Sequence, residues 1–215
     1  MMATAVAILI GYLIGSLSFA VIVSRILGLP DPHTYGSGNP GATNVLRTGN
    51  KLAALLTLVG DALKGWFAVW LVSRIGPAYG VQEAGAALAG LAAFLGHVYP
   101  VYFRFKGGKG VATAAGILFA INPWLGLGAL ATWVVIAVFF RYSSLASIVA
   151  ALFAPFFALF LNSFRFDATV AAICAMAALL VWRHRANIRN LLAGKEGRIG
   201  ARETAGESPA DVHHG

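Results

Sequence analysis

The chain has 215 residues, 59% of them hydrophobic and only 11% charged, and its mean hydropathy is +0.76. Soluble domains carry about 45–50% apolar and about 25% charged residues, so this composition excludes a water-facing globule and predicts a membrane protein. The net charge of +8, from 16 Lys and Arg against 8 Asp and Glu, lies between apolar runs, which fits membrane orientation and anionic headgroups rather than nucleic acid.

A bilayer core of about 30 Å needs about 20 apolar residues as helix. Apolar runs fall at 4–27, 52–74, 84–103, 110–121, 123–140, 145–162 and 167–182. The first starts almost at Met1, with no basic leader and no clear small-residue cleavage site, and reads as a retained helix. The second carries Asp61 and Lys64 at i, i+3, close enough to pair. Ions inside a membrane default to a functional reading, but a mutually satisfied pair has little left for a substrate and reads as a structural clamp. The third run ends near Gly96-His97, where the histidine is either a buried hydrogen-bonded residue or part of a site.

The fourth run, Gly110 to Ile121, has 12 residues, about 18 Å of helix at 1.5 Å per residue. It is either a re-entrant half-helix or a short span ending at Asn122-Pro123. Charge separates the two. With seven crossings and the N-terminus outside, 13 of the 16 basic residues share one side: Arg25, Arg47, Lys51, Arg104, Lys106, Lys109, Arg141, Arg183, Arg185, Arg189, Lys195, Arg198 and Arg202. The other side keeps Arg74 and Arg165. A re-entrant fourth segment would destroy that asymmetry, against the positive-inside rule. The expected fold is therefore all-α, an integral membrane protein of seven transmembrane helices with a cytoplasmic C-terminus. Residues 1–197 form one transmembrane domain, and 198–215, rich in Gly, Ala and charge, a mobile tail. Cys174 is the single cysteine, so no disulfide forms within the chain. His213 and His214 are too few and too terminal for a metal site, and no metal or other cofactor is expected.

Three polar segments are expected on the inner side. In Tyr35-Gly36-Ser37-Gly38-Asn39-Pro40-Gly41-Ala42-Thr43-Asn44-Val45-Leu46-Arg47, glycines let backbone N–H groups approach an anion, hydroxyls and amides add donors, and Arg47 offers a fork for phosphate. The same residues would also make a turn and a helix cap. In Lys106-Gly107-Gly108-Lys109-Gly110-Val111-Ala112-Thr113 a glycine loop with two lysines opens into an apolar helix, which points orphan N–H groups and the positive dipole end at the loop. It is not a nucleotide-binding P-loop, because Gly110 follows Lys109 where Ser or Thr is required. The third segment, residues 183–196, places His184 and Asn187 on one face if helical, but taken alone it reads first as a solvated basic helix on anionic lipid. Arg141-Tyr142-Ser143-Ser144 adds two hydroxyls that would ordinarily cap the following helix.

Taken in order, Ser37-Gly38-Asn39-Pro40-Gly41-Ala42-Thr43-Asn44, the Lys106–Thr113 segment, and His184 with Asn187-Ile188 resemble the three motifs of one family. It is the membrane-embedded acyl-phosphate–glycerol-3-phosphate acyltransferases of bacterial phospholipid synthesis, of the PlsY type. Asp61-Ala62-Leu63-Lys64-Gly65 and Gly96-His97 fit as well, and the similarity covers roughly residues 5 to 197. The resemblance implies a seven-span enzyme of the bacterial inner membrane. It would move a fatty acyl group from acyl phosphate to the 1-hydroxyl of sn-glycerol 3-phosphate, giving lysophosphatidic acid and phosphate without metal or nucleotide. Its partners would be those two substrates, membrane lipid and the enzyme that makes acyl phosphate. It implies His184, Asn187 and Lys109 as catalytic. Ser37, Asn44 and Arg47 would bind substrate together with Lys109, and Lys106 would serve as an alternate. Gly38, Asn39, Gly107, Gly108, Ser143 and Ser144 would cradle the acyl phosphate. Asp61 and Lys64 remain a structural ion pair. His184 would orient the attacking hydroxyl or polarise the carbonyl, with a substrate phosphate oxygen available to take the proton. The competing reading of the same glycine loops is an organic-phosphate or anion transporter. Polar segments gathered on one face argue against it, since alternating access places its site near the midplane.

Overall fold

The computed structural model describes residues 1–200, and all regular elements among them are helices. Arg202, His213, His214 and the expected mobile tail from 201 onward lie outside the described residues. In chain order the helices are α1 (Met2–Gly15), α2 (Phe19–Ile26), α3 (Ala42–Val45), α4 (Lys51–Ile75), α5 (Glu83–Val98), α6 (Val111–Ile121), α7 (Pro123–Phe140), α8 (Ser143–Leu161), α9 (Ala168–Arg183) and α10 (Arg185–Leu192). Five segments have the length and apolarity of a bilayer crossing: Met2–Ile26, Lys51–Tyr79, Glu83–Phe103, Pro123–Phe140 and Ser143–Leu161. The α9–α10 pair, bent by 55°, is a sixth by the same measure. Helix α6, at 11 residues, reaches about 16 Å at 1.5 Å per residue.

These helices follow the apolar runs closely, with one interruption that composition does not reveal. The first run breaks at Ser16–Ser18, where the Ser16 hydroxyl donates back to the Tyr12 carbonyl at 2.8 Å. The break frees the Leu17 carbonyl, and the Lys64 ammonium donates to it. A second difference concerns α8. Its N-cap is Tyr142, without a side-chain cap bond, so Ser143 and Ser144 begin the helix instead of capping it.

Small residues set how closely the helices approach. A Cβ on Gly11 or Gly15 of α1 would collide with the Ala89 or Ala93 backbone of α5, and one on Gly96 with the Tyr12 carbonyl. Gly65 and Gly116 do the same for α4 and α6, against the Thr113 and Ala62 carbonyls. Close backbone contact of this kind replaces the hydrophobic drive that lipid cannot supply. It anchors α6, too short to be held by length alone, along α4. Large apolar side chains such as Val138, Phe139, Phe156 and Phe160 remain exposed on the outer faces of α7 and α8, as lipid contact requires.

Candidate active site

Four segments distant in sequence line one cavity of about 480 Å³. Residues Ser37 to Arg47 supply one wall, Lys109 to Ala112 a second, Ser143 and Ser144 a third, and His184 to Gly197 a fourth. Beyond this polar chamber the cavity continues as an apolar slot. Ala114 and Leu118 of α6, Ala129 of α7, Ala154 of α8, and Ile173 and Ala177 of α9 line it. The slot runs about 15 Å along α8 from Ser144 to Ala154, at 1.5 Å per residue. Alanines open the space, and Trp133 crosses from α7 to donate its indole N–H to the Ser147 hydroxyl at 3.1 Å.

In the chamber, Lys109 Nζ donates to Asn187 Oδ1 at 2.7 Å, and Asn187 Nδ2 donates to Glu196 Oε1 at 2.7 Å. The Ser144 hydroxyl donates to the same Glu196 oxygen at 2.5 Å. Burial lowers the Lys109 pKa below the ordinary lysine value, Arg183 and Arg47 push the same way, and Glu196 opposes them. His184, at the joint of α9 and α10, is buried and donates from Nδ1 to the Leu180 carbonyl at 2.8 Å. Its pKa falls to about 4, chiefly through burial, so the ring is neutral at pH 7. With the proton fixed on Nδ1, Nε2 is a lone-pair acceptor.

The loop at residues 35–47 is built around Asn44, which is buried. Its Nδ2 donates to the Pro32 and Tyr35 carbonyls at 2.9 and 3.2 Å, and its Oδ1 accepts from the Ser37 N–H and hydroxyl at 3.0 and 3.2 Å. Asn44 therefore holds Ser37 in place. Gly36 and Gly38 take positive φ, 56° and 64°, which glycine adopts without a Cβ penalty. The glycine loop after α5 is braced from two sides: Arg183 donates to the Gly107 carbonyl at 2.9 Å, and the Gly108 N–H donates to the His97 carbonyl at 3.2 Å.

A buried charge cluster adjoins the chamber, with Asp61 and His97 among the cavity-lining residues. Lys64 Nζ is 2.7 Å from Asp61 Oδ1 and 3.0 Å from His97 Nδ1. The Thr113 hydroxyl is 3.2 Å from the same ring nitrogen, and Asp61 Oδ1 is 3.6 Å from it. Asp61 and Lys64 thus form the pair their spacing suggested, joined by His97 from α5.

The family model described as glycerol-3-phosphate acyltransferase matches residues 5–194. The glycerol-3-phosphate acyltransferase of Cupriavidus necator is 66% identical over 202 residues, covering 94% of this chain and 99% of that one. That of Ralstonia pickettii is 64% identical over 203 residues, covering 94% and 97%. The chain belongs to the glycerol-3-phosphate acyltransferase family. Among solved structures, PlsY, an integral membrane glycerol 3-phosphate acyltransferase, is similar in its glycerol 3-phosphate form. That match has 38% identity and a TM-score of 0.83 over 92% of this chain and 96% of that one. Its lysophosphatidic acid form superposes with a TM-score of 0.82.

In this acyltransferase the cavity gathers Ser37, Asn39, Asn44, Arg47, Lys109, Ser143, Ser144, His184 and Asn187, all expected from sequence. Gly38, Lys106, Gly107 and Gly108 are not among the lining residues. Gly107 and Gly108 are buried against His97, where a Cβ on either would collide with it, while the Lys106 side chain is exposed. The backbone nearest the chamber is instead the start of α6, Gly110 to Ala112, with Gly110 at φ 86°. Glu196 was not singled out from sequence. It follows Asn187 by nine positions in a segment with no helical period, and only the fold-back of that segment brings it to Ser144.

Proposed function

We propose that the protein transfers a fatty acyl group directly from acyl phosphate to the 1-hydroxyl of sn-glycerol 3-phosphate at the cytoplasmic face of the bacterial inner membrane. One observation carries this reading: a cation-bearing polar chamber opens into an apolar slot within a single cavity. A phosphate head and an acyl tail on one molecule match that division. The similar PlsY structures, in glycerol 3-phosphate and lysophosphatidic acid forms, are consistent with an acceptor and a product of this chemistry.

In the proposed step the 1-hydroxyl oxygen attacks the carbonyl carbon and the acyl–phosphate C–O bond breaks. Phosphate leaves with the bonding pair, and the hydroxyl proton passes to a phosphate oxygen. Lys109, Arg47 and Ser37 hold the glycerol phosphate, while Asn39, Ser143, Ser144 and the start of α6 cradle the acyl phosphate. Gly107 and Gly108 shape these walls by allowing close packing, and Gly38 by its positive φ. Lys106 stays an alternate phosphate contact at the rim. Asn187 presents Lys109, and His184 Nε2 accepts a hydrogen bond from the attacking hydroxyl. A ring with a pKa of about 4 is a weak base, which favours substrate phosphate as the proton acceptor. No serine or cysteine among the described residues is hydrogen-bonded to a histidine, so no nucleophile is evidently activated for an acyl-enzyme. Catalysis then rests on positioning and on stabilising charge as it develops.

The proposal includes seven crossings, with the N-terminus outside and residues 1–197 as one domain. Lys109 before α6 and Ser143 after α7 line the same cavity, and α7 is long enough to span, which supports α6 as the segment that carries the chain to the far side. Labelling of single cysteines placed at Arg165 and Arg189 should occur from opposite sides of the membrane, and same-side labelling would contradict this topology. The function itself is tested with purified protein in detergent or mesophase, supplied with acyl phosphate and glycerol 3-phosphate. Lysophosphatidic acid and phosphate should appear in equal amounts. Uptake of glycerol 3-phosphate into vesicles without acyl transfer would overturn the reading in favour of a transporter.

A further inference from the structure

His97 is only 7% exposed, yet it lines the cavity. Its two ring nitrogens differ in their surroundings. Nδ1 faces the Lys64 ammonium at 3.0 Å and the Thr113 hydroxyl at 3.2 Å. An ammonium has no lone pair, so Nδ1 must accept, and the ring proton sits on Nε2. Asp61 Oδ1, 2.7 Å from Nζ, holds the Lys64 ammonium against the ring. Nε2 has no hydrogen-bond acceptor among the described residues and is not closed off as a buried orphan. It lies against Gly108, whose missing side chain leaves the space a Cβ would take from it, between the glycine loop and the Pro40 carbonyl.

We propose that the Nε2–H of His97 is a further hydrogen-bond donor to a substrate phosphate oxygen, held in that tautomer by Lys64. A donor fixed in orientation on an otherwise buried ring, opening on the cavity, is expected to meet a polar partner in the working enzyme. The chamber's occupant under the proposed function, on which this inference rests, is a phosphate. The donor serves either the acyl phosphate or the glycerol phosphate, and its residue contacts substrate where Asp61 and Lys64 only position it.

Two substitutions separate donation from packing. His97→Asn places an amide oxygen near the Nδ1 position, keeping an acceptor for Lys64 and Thr113 while removing the outer donor. His97→Gln carries an amide N–H toward the Nε2 position. In detergent-purified full-length protein, His97→Asn should raise KM about 10–100-fold, as loss of one bond to a charged group implies, with the wild-type melting temperature. His97→Gln should recover most of that loss. A rise confined to acyl phosphate assigns the donor to that substrate, and one confined to glycerol 3-phosphate assigns it to the other. Unchanged KM for both substrates in His97→Asn overturns the proposal, as does equal impairment of both variants with early melting. If the wild-type protein transfers no acyl group, the functional reading fails by itself. Inorganic phosphate then provides the test: its stabilisation of the wild-type melting temperature should be lost in His97→Asn and kept in His97→Gln, and retention in His97→Asn would overturn the donor.

Discussion

Two lysines of this protein occupy opposite situations. Lys64, in α4, is buried with its ammonium 2.7 Å from the Asp61 carboxylate, and the Leu17 carbonyl and His97 complete its surroundings. Lys109, at the chamber, has one neutral partner, the Asn187 amide oxygen at 2.7 Å, with Arg47 and Arg183 nearby as like charges and Glu196 as the opposing one. The first cation is compensated by a carboxylate in direct contact, and the second has only a neutral oxygen as its direct hydrogen-bond partner among the described residues. What a charged residue does in a membrane protein is therefore read from the charge of its partners rather than from its depth. The same contrast predicts that damage at the two places differs in kind.

The largest effect is expected at the compensated pair. Asp61→Asn leaves the Lys64 ammonium buried with a weaker neutral partner, and breaking a buried pair costs on the order of 3–5 kcal/mol. Yield and melting temperature in detergent should fall, while the folded fraction keeps much of its specific activity, since Lys64 still donates to His97. A stable but inactive Asp61→Asn would erase the contrast and place Asp61 in the chemistry.

Lys109→Ala should do the reverse. Loss of a charge-assisted bond of roughly 1.5–3 kcal/mol to phosphate lowers kcat/KM by at least about ten- to a hundredfold. Melting temperature should hold, because the one side-chain hydrogen bond of Lys109 among the described residues is that to Asn187. Wild-type kinetics would remove Lys109 from the site, and early melting would make it a second structural lysine. The smallest effect belongs to Cys174→Ala. This half-buried residue of α9 is not among the cavity-lining residues, so both activity and melting temperature should stay near wild type. Loss of activity would reopen an acyl-cysteine route.

The helices are legible in the sequence because lipid demands continuous apolarity over a fixed length, and the runs at 52–74, 123–140 and 167–182 correspond closely to α4, α7 and α9. The Ser16–Ser18 break was not legible. Serine is tolerated in a membrane helix, and nothing local says that the Leu17 carbonyl is needed by Lys64, 47 positions away. The glycine loops announced an anion site by composition, but composition could not divide their labour. Gly107 and Gly108 resemble a phosphate cradle in sequence and pack on His97 in the fold. Asn44 resembles a ligand donor and spends its side chain on its own loop. Glu196 was hidden for a related reason. Its contacts depend on the return path of a loop after α10, which no periodicity encodes.

Direct transfer is the central claim, and a single-turnover measurement tests it most simply. Purified protein is mixed with a stoichiometric amount of acyl phosphate, first without and then with glycerol 3-phosphate, while phosphate release is followed in time. The account predicts no burst until the acceptor is added, followed by phosphate and lysophosphatidic acid appearing together. A burst of one phosphate per protein without acceptor, with the acyl group retained on Ser37 or Ser144, would contradict it.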